Sequence, residues 1–446
     1  MLISKKRAMK RLYTYVKKGS VLLIALALAL TTSCSFDEQV DPNRPSLEGV
    51  LTDASVNQLN NLVVGVESAM RNSLAIQTTG SGTIARELYL FDADPRNTGD
   101  LLGANGSSLD NNSFYSTAPW GGRYRAIKNA NILLQSVENT GSVTDAQKAG
   151  YRGFARTIIA YELIEILKSY NSARVDVADP DNLGPILGFS EALSSVRSLL
   201  DNAQSDLNGA GSEFAFALAG FSGFDTPATF GEFNRAVAAT AAVYAGDGSG
   251  ALTALTNSYF DLNGDLTVGP QHVFSLSSGD LTNGLFKIPD NNGDQIIVHD
   301  SFINEAEAGD TRITDKTIIR ANPTSQDGLT GTYQTGLYAS NVSPIDMIRN
   351  EELILVYAEA SILTNALGDA TTALNVIRNS ASLGNTTATD AAGLTTELLN
   401  QRRYSLWCEN HRMFDLRRYN LSNTPPIDRA GDQIFSELPV PLSENE

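Results

Sequence analysis

Three histidines occur in the 446 residues, His272, His299 and His411, and no two stand at metal-ligand spacing. HExxH, paired CxxC, GxSxG and the P-loop are all missing. Catalysis built on His or Cys is therefore disfavoured, and no enzyme is expected. Carboxylate chemistry stays open, because the chain carries 50 Asp and Glu. A glycoside hydrolase would need two of them held roughly 5–10 Å apart across a cleft, and nothing beyond their abundance points to such a pair. Non-covalent capture of a sugar asks for aromatic faces flanked by Asp, Asn and Arg. Those types gather in Arg86–Asn97 (RELYLFDADPRN) and again at Tyr259, Phe274, Tyr333 and Tyr338. By type and location, Arg86, Tyr89, Asp92, Arg96, Tyr333 and Tyr338 are the ligand-contact candidates.

Two acid-rich turns, Asp261–Asp265 (DLNGD) and Asp290–Asp294 (DNNGD), invite a calcium reading. An EF-hand loop opening at Asp261 would place Gly at 266 and Glu at 272, where the chain has Leu266 and His272. Asx-type turns account for both stretches. No cofactor is expected, with calcium the one alternative these turns keep open.

The most specific chemistry lies near the N-terminus. Basic residues from Lys5 to Lys18 precede ten apolar residues, Val21–Leu30, then Thr31, Thr32, Ser33 and Cys34. A basic stretch, a short apolar run and small residues describe a secretory signal. The run is shorter than the roughly 20 residues a membrane-spanning helix needs. A cysteine directly after the small residues points to cleavage before Cys34 and acylation on it, which would tie the protein to a membrane by lipid. Removing residues 1–33 takes away seven positive charges and no negative ones, moving the net charge from −17 to −24. A surface that acidic argues against nucleic acid as a partner. With Cys34 acylated, Cys408 is the only thiol left and no intrachain disulfide can form.

Residues 34–50, polar and carrying two prolines, read as a tether. Beyond it, apolar spacing at three and four residues predicts helices over 52–75, 118–138, 144–170 (capped by Thr144 or Asp145), 190–207, 231–246, 249–258, 346–366, 369–381 and 394–419. Trp120 and Trp407 fall at helical positions among apolar neighbours and read as core. Short turns such as Asn365–Asp369 join neighbours into helical hairpins. The fold class is therefore mainly α, a tetratricopeptide-like scaffold without a fixed-period repeat. Two long irregular tracts, 76–117 and 259–345, interrupt it, and loops of that length usually carry function. They are expected to form the ligand face.

Several stretches match one family. Residues 402–418 (RRYSLWCENHRMFDLRR) resemble the late helix of the RagB/SusD family, ERRxEL-x-x-EGxRxxDLxR. Arg402, Arg403, Leu406, Glu409, Arg412, Asp415, Leu416 and Arg418 fit, while Gln401, Ser405, Asn410 and Met413 depart. Residues 349–360 (RNEELILVYAEA) and 373–378 (ALNVIR) are similar to that family's R-x-x-E-x-x-L-x-Y-A-E-A helix and its continuation. Trp120, Tyr124, Ile127, Ala130 and Asn131 resemble its W-x3-Y-x2-I-x2-AN helix, and Arg156, Tyr161, Glu162 and Leu163 its RAxxYFxL segment. Physically, Glu409–Arg412 and Arg412–Asp415 are i, i+3 pairs expected to steady one helix rather than bind a ligand.

The resemblance implies a cell-surface lipoprotein on the outer membrane, facing the exterior, with Asp37 and Glu38 similar to acidic export tags. It implies a lid on a SusC-like TonB-dependent transporter that captures glycans, or alternatively peptides, for import. It also implies one folded body over 51–446, with an N-terminal part to about 258 and a C-terminal part from about 259. A surface glycoside hydrolase and an adhesion lipoprotein are the rival readings from other classes.

Overall fold

The computed structural model describes residues 47–444. The signal, Cys34 and residues 35–46 of the expected tether lie outside the described residues. One unit of the chain ends at Gly49, of which Leu47–Gly49 are described, and a second begins at Val50. Helix α1 (Leu47–Asp53) shows that the last residues of the expected tether are already helical.

The second unit is mainly α, as the spacing predicts. Ser55 opens α2 (Val56–Met70) through a capping box with Gln58, which explains why the single helix expected over 52–75 is broken. A second break follows at Ser73, left-handed at φ 56°, before α3 (Leu74–Ile84). All of this helix beyond residue 75 lies in the tract that the sequence reads as irregular. Its sequence, LAIQTTGSGTI, has no apolar stripe because nearly every side of it is buried. Helices α4 (Phe114–Asn139) and α5 (Asp145–Tyr170) form a long antiparallel pair, and the Thr144–Gln147 capping box fixes the start of α5. Next come α6 (Phe189–Asn208), α7 (Pro227–Tyr244) and α8 (Gly248–Leu255), each packed on its predecessor. Gly153 lets α5 and α6 approach closely, since a Cβ there would sit 2.6 Å from Leu207 Cγ. Phe154, Phe216, Phe221, Phe230 and Phe233 fill the space between α5 and α7, their rings tilted against one another and Phe221 edge to face with Phe233.

After the short helices α9 (Asp300–Asn304) and α10 (Arg312–Lys316), the hairpin of α11 (Asn350–Leu363) and α12 (Leu367–Ser380) turns at Asn365, left-handed at φ 60°. The helix expected over 394–419 is two: α13 (Ala391–Ser405) and α14 (Arg412–Arg418). Between them Cys408 and Asn410 both take left-handed backbone, φ 61° each. The i, i+3 pairs expected around Arg412 therefore do not form. Glu409 instead pairs with Arg349, and Asp415 with Arg402 and Arg418. Trp120 and Trp407 are both core, as expected. No helix among the described residues is long and apolar enough to cross a membrane.

Candidate functional site

The two tracts read as irregular contain most of the strand structure. Strand β1 (Leu88–Asp92) of the first pairs antiparallel with β5 (Asp294–Val298) of the second, Tyr89 opposite Ile297. β5 meets β7 (Leu329–Thr335), which forms a hairpin with β6 (Thr317–Gln326), giving the order β1-β5-β7-β6. Two shorter pairs, β2–β3 (172–174 with 186–188) and β4–β8 (271–272 with 345–346), complete the set. Alternation along the strands gives the sheet two apolar faces. Leu88, Ile296 and Val298 pack on Phe302, Tyr404 and Trp407, while Tyr89, Phe91, Ile297 and Leu329 pack with Leu102.

A third segment locks the tracts together. Arg429 donates to the carbonyls of Thr98 and Asp327, and the Thr98 hydroxyl donates to the Asp327 carboxylate. The Gln326 amide reaches the Asp92 carbonyl at 2.9 Å. Each tract alone would be a flexible loop; cross-linked in this way they form one surface.

The second tract carries exposed apolar side chains. Leu276, Ile288 and Ile319 stand 75, 60 and 65 % exposed, and Leu281, Ile318 and Val342 also face solvent. Where exposed apolar side chains adjoin one another they mark interaction sites. Beside them opens a cleft of about 250 Å³ lined by Val64, Glu67, Arg71, Leu218, Val273 and Met347. Its rim is the Arg71–Asp280 pair at 2.7 Å, with the guanidinium 5.8 Å from the Phe274 ring centroid. Glu67 accepts from the N–H groups of Ala219 and Gly220, and burial holds its carboxyl above the usual range.

Elsewhere in the body the family motifs converge as a buried ion-pair network. Arg349 contacts Glu351 and Glu409; Arg402 contacts Asp415; Arg418 contacts Asp415 and Glu359. Residues 333–435, which hold much of this network, match the model of the SusD family. The chain is SusD/RagB-like.

Solved structures of this fold agree over most of the chain. A SusD superfamily protein from Bacteroides vulgatus ATCC 8482 is 16 % identical, covers 88 % of this chain and 96 % of its own, and has a TM-score of 0.61. One from Parabacteroides distasonis ATCC 8503 is 16 % identical, with 87 and 96 % covered and a TM-score of 0.66. Surface glycan-binding protein A from Bacteroides thetaiotaomicron, in complex with laminarihexaose, is 13 % identical, with 87 and 97 % covered and a TM-score of 0.68. No curated protein sequence matches the chain.

In this SusD/RagB-like body the six candidate contacts do not meet at one point. Arg86 is interior: left-handed at φ 55°, it donates to the carbonyls of Ile84, Leu102 and Gln433 and lies 3.3 Å from Asp428. Tyr89 is interior too, its ring 5.2 Å from His299 and stacked on Phe91, and burial pushes its hydroxyl pKa up. These two hold the sheet together and present no group to solvent. The Asp92 carboxylate accepts from Asp94 N and Asn97 Nδ2, shaping the 92–97 turn. Arg96 is exposed, chelates Asp94 at 2.9 and 2.6 Å, and lies 4.6 Å from the Phe114 ring centroid. The hydrogen bond from Arg96 holds the Asp94 carboxyl below its usual range. Tyr333 is half-buried opposite exposed Ile319, on the sheet face away from Tyr89. Tyr338 is half-buried beside Glu409, its hydroxyl pushed up by burial.

Sequence reasoning missed the aliphatic residues and Phe114. The signal was available in Thr317–Ile319 and Leu329–Tyr333, β-branched and aromatic runs that read as strands. The carboxylates of the acid-rich turns bind their own backbone or a neighbour. Asp261 accepts from Asn263 N, Asp265 from Thr267 N, Asp290 from Ala321 N, and Asp294 pairs with Lys287. Among the described residues no three His, Cys, Asp or Glu gather where they could hold a metal.

Proposed function

We propose that this protein is a non-enzymatic, cell-surface lipoprotein that captures glycans on the surface built from its two loop tracts. Cys34 carries the lipid, the segment up to residue 50 serves as its tether to the folded body, and a SusC-like TonB-dependent transporter receives the ligand from beneath this lid. Residues 51–446 act as one body whose parts meet near residue 258. The observation that carries the reading is the cross-linking of the 92–98 turn, the β6–β7 hairpin and Arg429, on a fold like that of a glycan-binding protein held with laminarihexaose. Phe114 with Arg96, whose guanidinium lies 4.6 Å from its ring centroid, and Tyr333 are the contacts proposed for sugar, because each offers an aromatic ring.

A specific feature favours a second reading. The most exposed apolar residues, Leu276, Ile288 and Ile319, are aliphatic and not aromatic. Aliphatic side chains cannot stack on a pyranose but suit the side chains of an extended peptide, so peptide capture is the alternative. Isothermal titration with neutral oligosaccharides and with mixed peptides separates the two. Glycan capture predicts saturable heat with at least one oligosaccharide, weakened about tenfold or more by Phe114→Ala or Tyr333→Ala. Heat from peptides alone would replace it with the second reading.

A further inference from the structure

A small chamber lies beneath the β4–β8 strand pair, walled by the Cys408–His411 turn and by α3, α4 and α5. It encloses about 30 Å³, against the roughly 10–15 Å³ that one water molecule requires. His272 lies on the wall between this chamber and the outer cleft and lines both. There it lies 6.4 Å from the Tyr161 ring, 2 % exposed, and its Nε2 meets no partner among the protein's atoms. A buried polar nitrogen left unpaired costs about 1–3 kcal/mol, so a partner is expected.

The chemistry of the wall decides what that partner is. Lys168 pairs with Glu165 at 2.9 Å, Asn410 donates to Glu165 at 3.1 Å, and Arg123 reaches Glu162 at 3.2 Å and Gln77 at 2.7 Å. The two other carboxylates on the wall are also held, Asp346 by Gln271 at 2.7 Å and Glu409 by Arg349, so every charge there already has a partner. Burial with the nearby Arg123 and Arg71 drives the His272 pKa to about 3, so the imidazole is neutral and offers one donor and one acceptor nitrogen. A small neutral molecule that both donates and accepts fits either tautomer.

We propose that this chamber is a hydration site in which at least one ordered water hydrogen-bonds His272 Nε2 and bridges the β4–β8 strands to α4 and α5. The bridge ties the loop surface to the helical scaffold through solvent where the side chains fall short. The chamber requires no ligand on the outer surface, so the proposal stands apart from the functional reading above.

Diffraction from the full chain at a resolution that shows ordered solvent tests it directly. A density peak refining as water within about 3.2 Å of Nε2 is the expected result. A chamber free of density, a peak refining as an ion, or a His272 ring turned so that Nε2 meets a protein atom would each overturn it. Magnetic relaxation dispersion gives a solution measurement: His272→Phe should lower the number of long-lived waters by at least one. An unchanged number in a folded variant refutes the assignment. Should that variant not fold, the density in the unaltered chain decides alone.

Discussion

Removing the Asp415 carboxylate should unsettle the fold far more than breaking a surface ion pair. The Arg402 and Asp415 side chains are 0 and 3 % exposed, and Nε–Oδ2 is 2.7 Å. Asp415 also holds Arg418 at 3.0 Å. Arg418 would keep Glu359 at 2.6 Å, but Arg402 would keep only the His411 ring at 3.2 Å. His411 is held neutral by burial and by the cations around it, so it cannot replace a carboxylate. An uncompensated buried charge of this sort costs about 3–5 kcal/mol. For a body of this length that corresponds to a fall in Tm of roughly 4–6 °C, from the entropy of unfolding per residue. Urea denaturation of Asp415→Ala against the unaltered protein measures it directly. The double variant Arg402→Met with Asp415→Leu removes both charges and should recover most of the loss, because well-packed apolar replacements of buried pairs are often near neutral. Ligand binding at the loop surface should persist in both variants below their melting temperatures. A single variant within about 1 kcal/mol of the parent, the range of an exposed pair, would refute the reasoning. So would a double variant as unstable as the single.

Stability should fall as pH rises from 6.5 to 8. Burial raises Glu87 to about 8 and Glu162 and Glu352 to about 7, so the folded state holds protons that the unfolded chain has already released. Their contribution is full below about 4.5 and is lost as pH passes the folded values; His272 and His411, depressed by burial, act in the opposite sense only below about 6.5. At about 1.4 kcal/mol per proton per pH unit, the loss across this window is on the order of 3 kcal/mol, and a flat or rising urea midpoint would sink the argument. Gly331→Ala should strain the sheet, since its Cβ would lie 2.0 Å from Ile297 Cγ2. A cost of about 1–3 kcal/mol is expected in thermal unfolding, and an unchanged Tm would mean that β5 and β7 can part at no cost.

The helices were legible because their signals are local. Thr144 with Gln147 caps α5, and apolar spacing marks α5, α6 and α11 within about four residues of their observed ends. The same logic failed where burial is complete. Residues 74–84 carry Thr, Gly and Ser on every side of α3, and without a polar face there is no stripe to read. It failed again at 406–411, where helical spacing continues through Cys408 and Asn410 although both are left-handed. Asn410 stands where the family pattern has Gly, and that departure already marked a position fit for positive φ.

What the sequence by itself determined is the composition of each element, the family resemblance and the reading of the N-terminal segment up to Cys34 as an export signal, all of which depend on neighbours along the chain. Only the tertiary structure decided which candidates reach solvent. Pairing Tyr89 with Ile297 and Tyr333 with Ile319 put the two tyrosines on opposite sheet faces, although residue type alone made them equivalent. Arg86 looked like a ligand contact until three carbonyls from distant segments closed around it. The reason is physical. A period of two or 3.6 residues fixes a side chain's direction within its own element, whereas exposure depends on what another part of the chain lays over it.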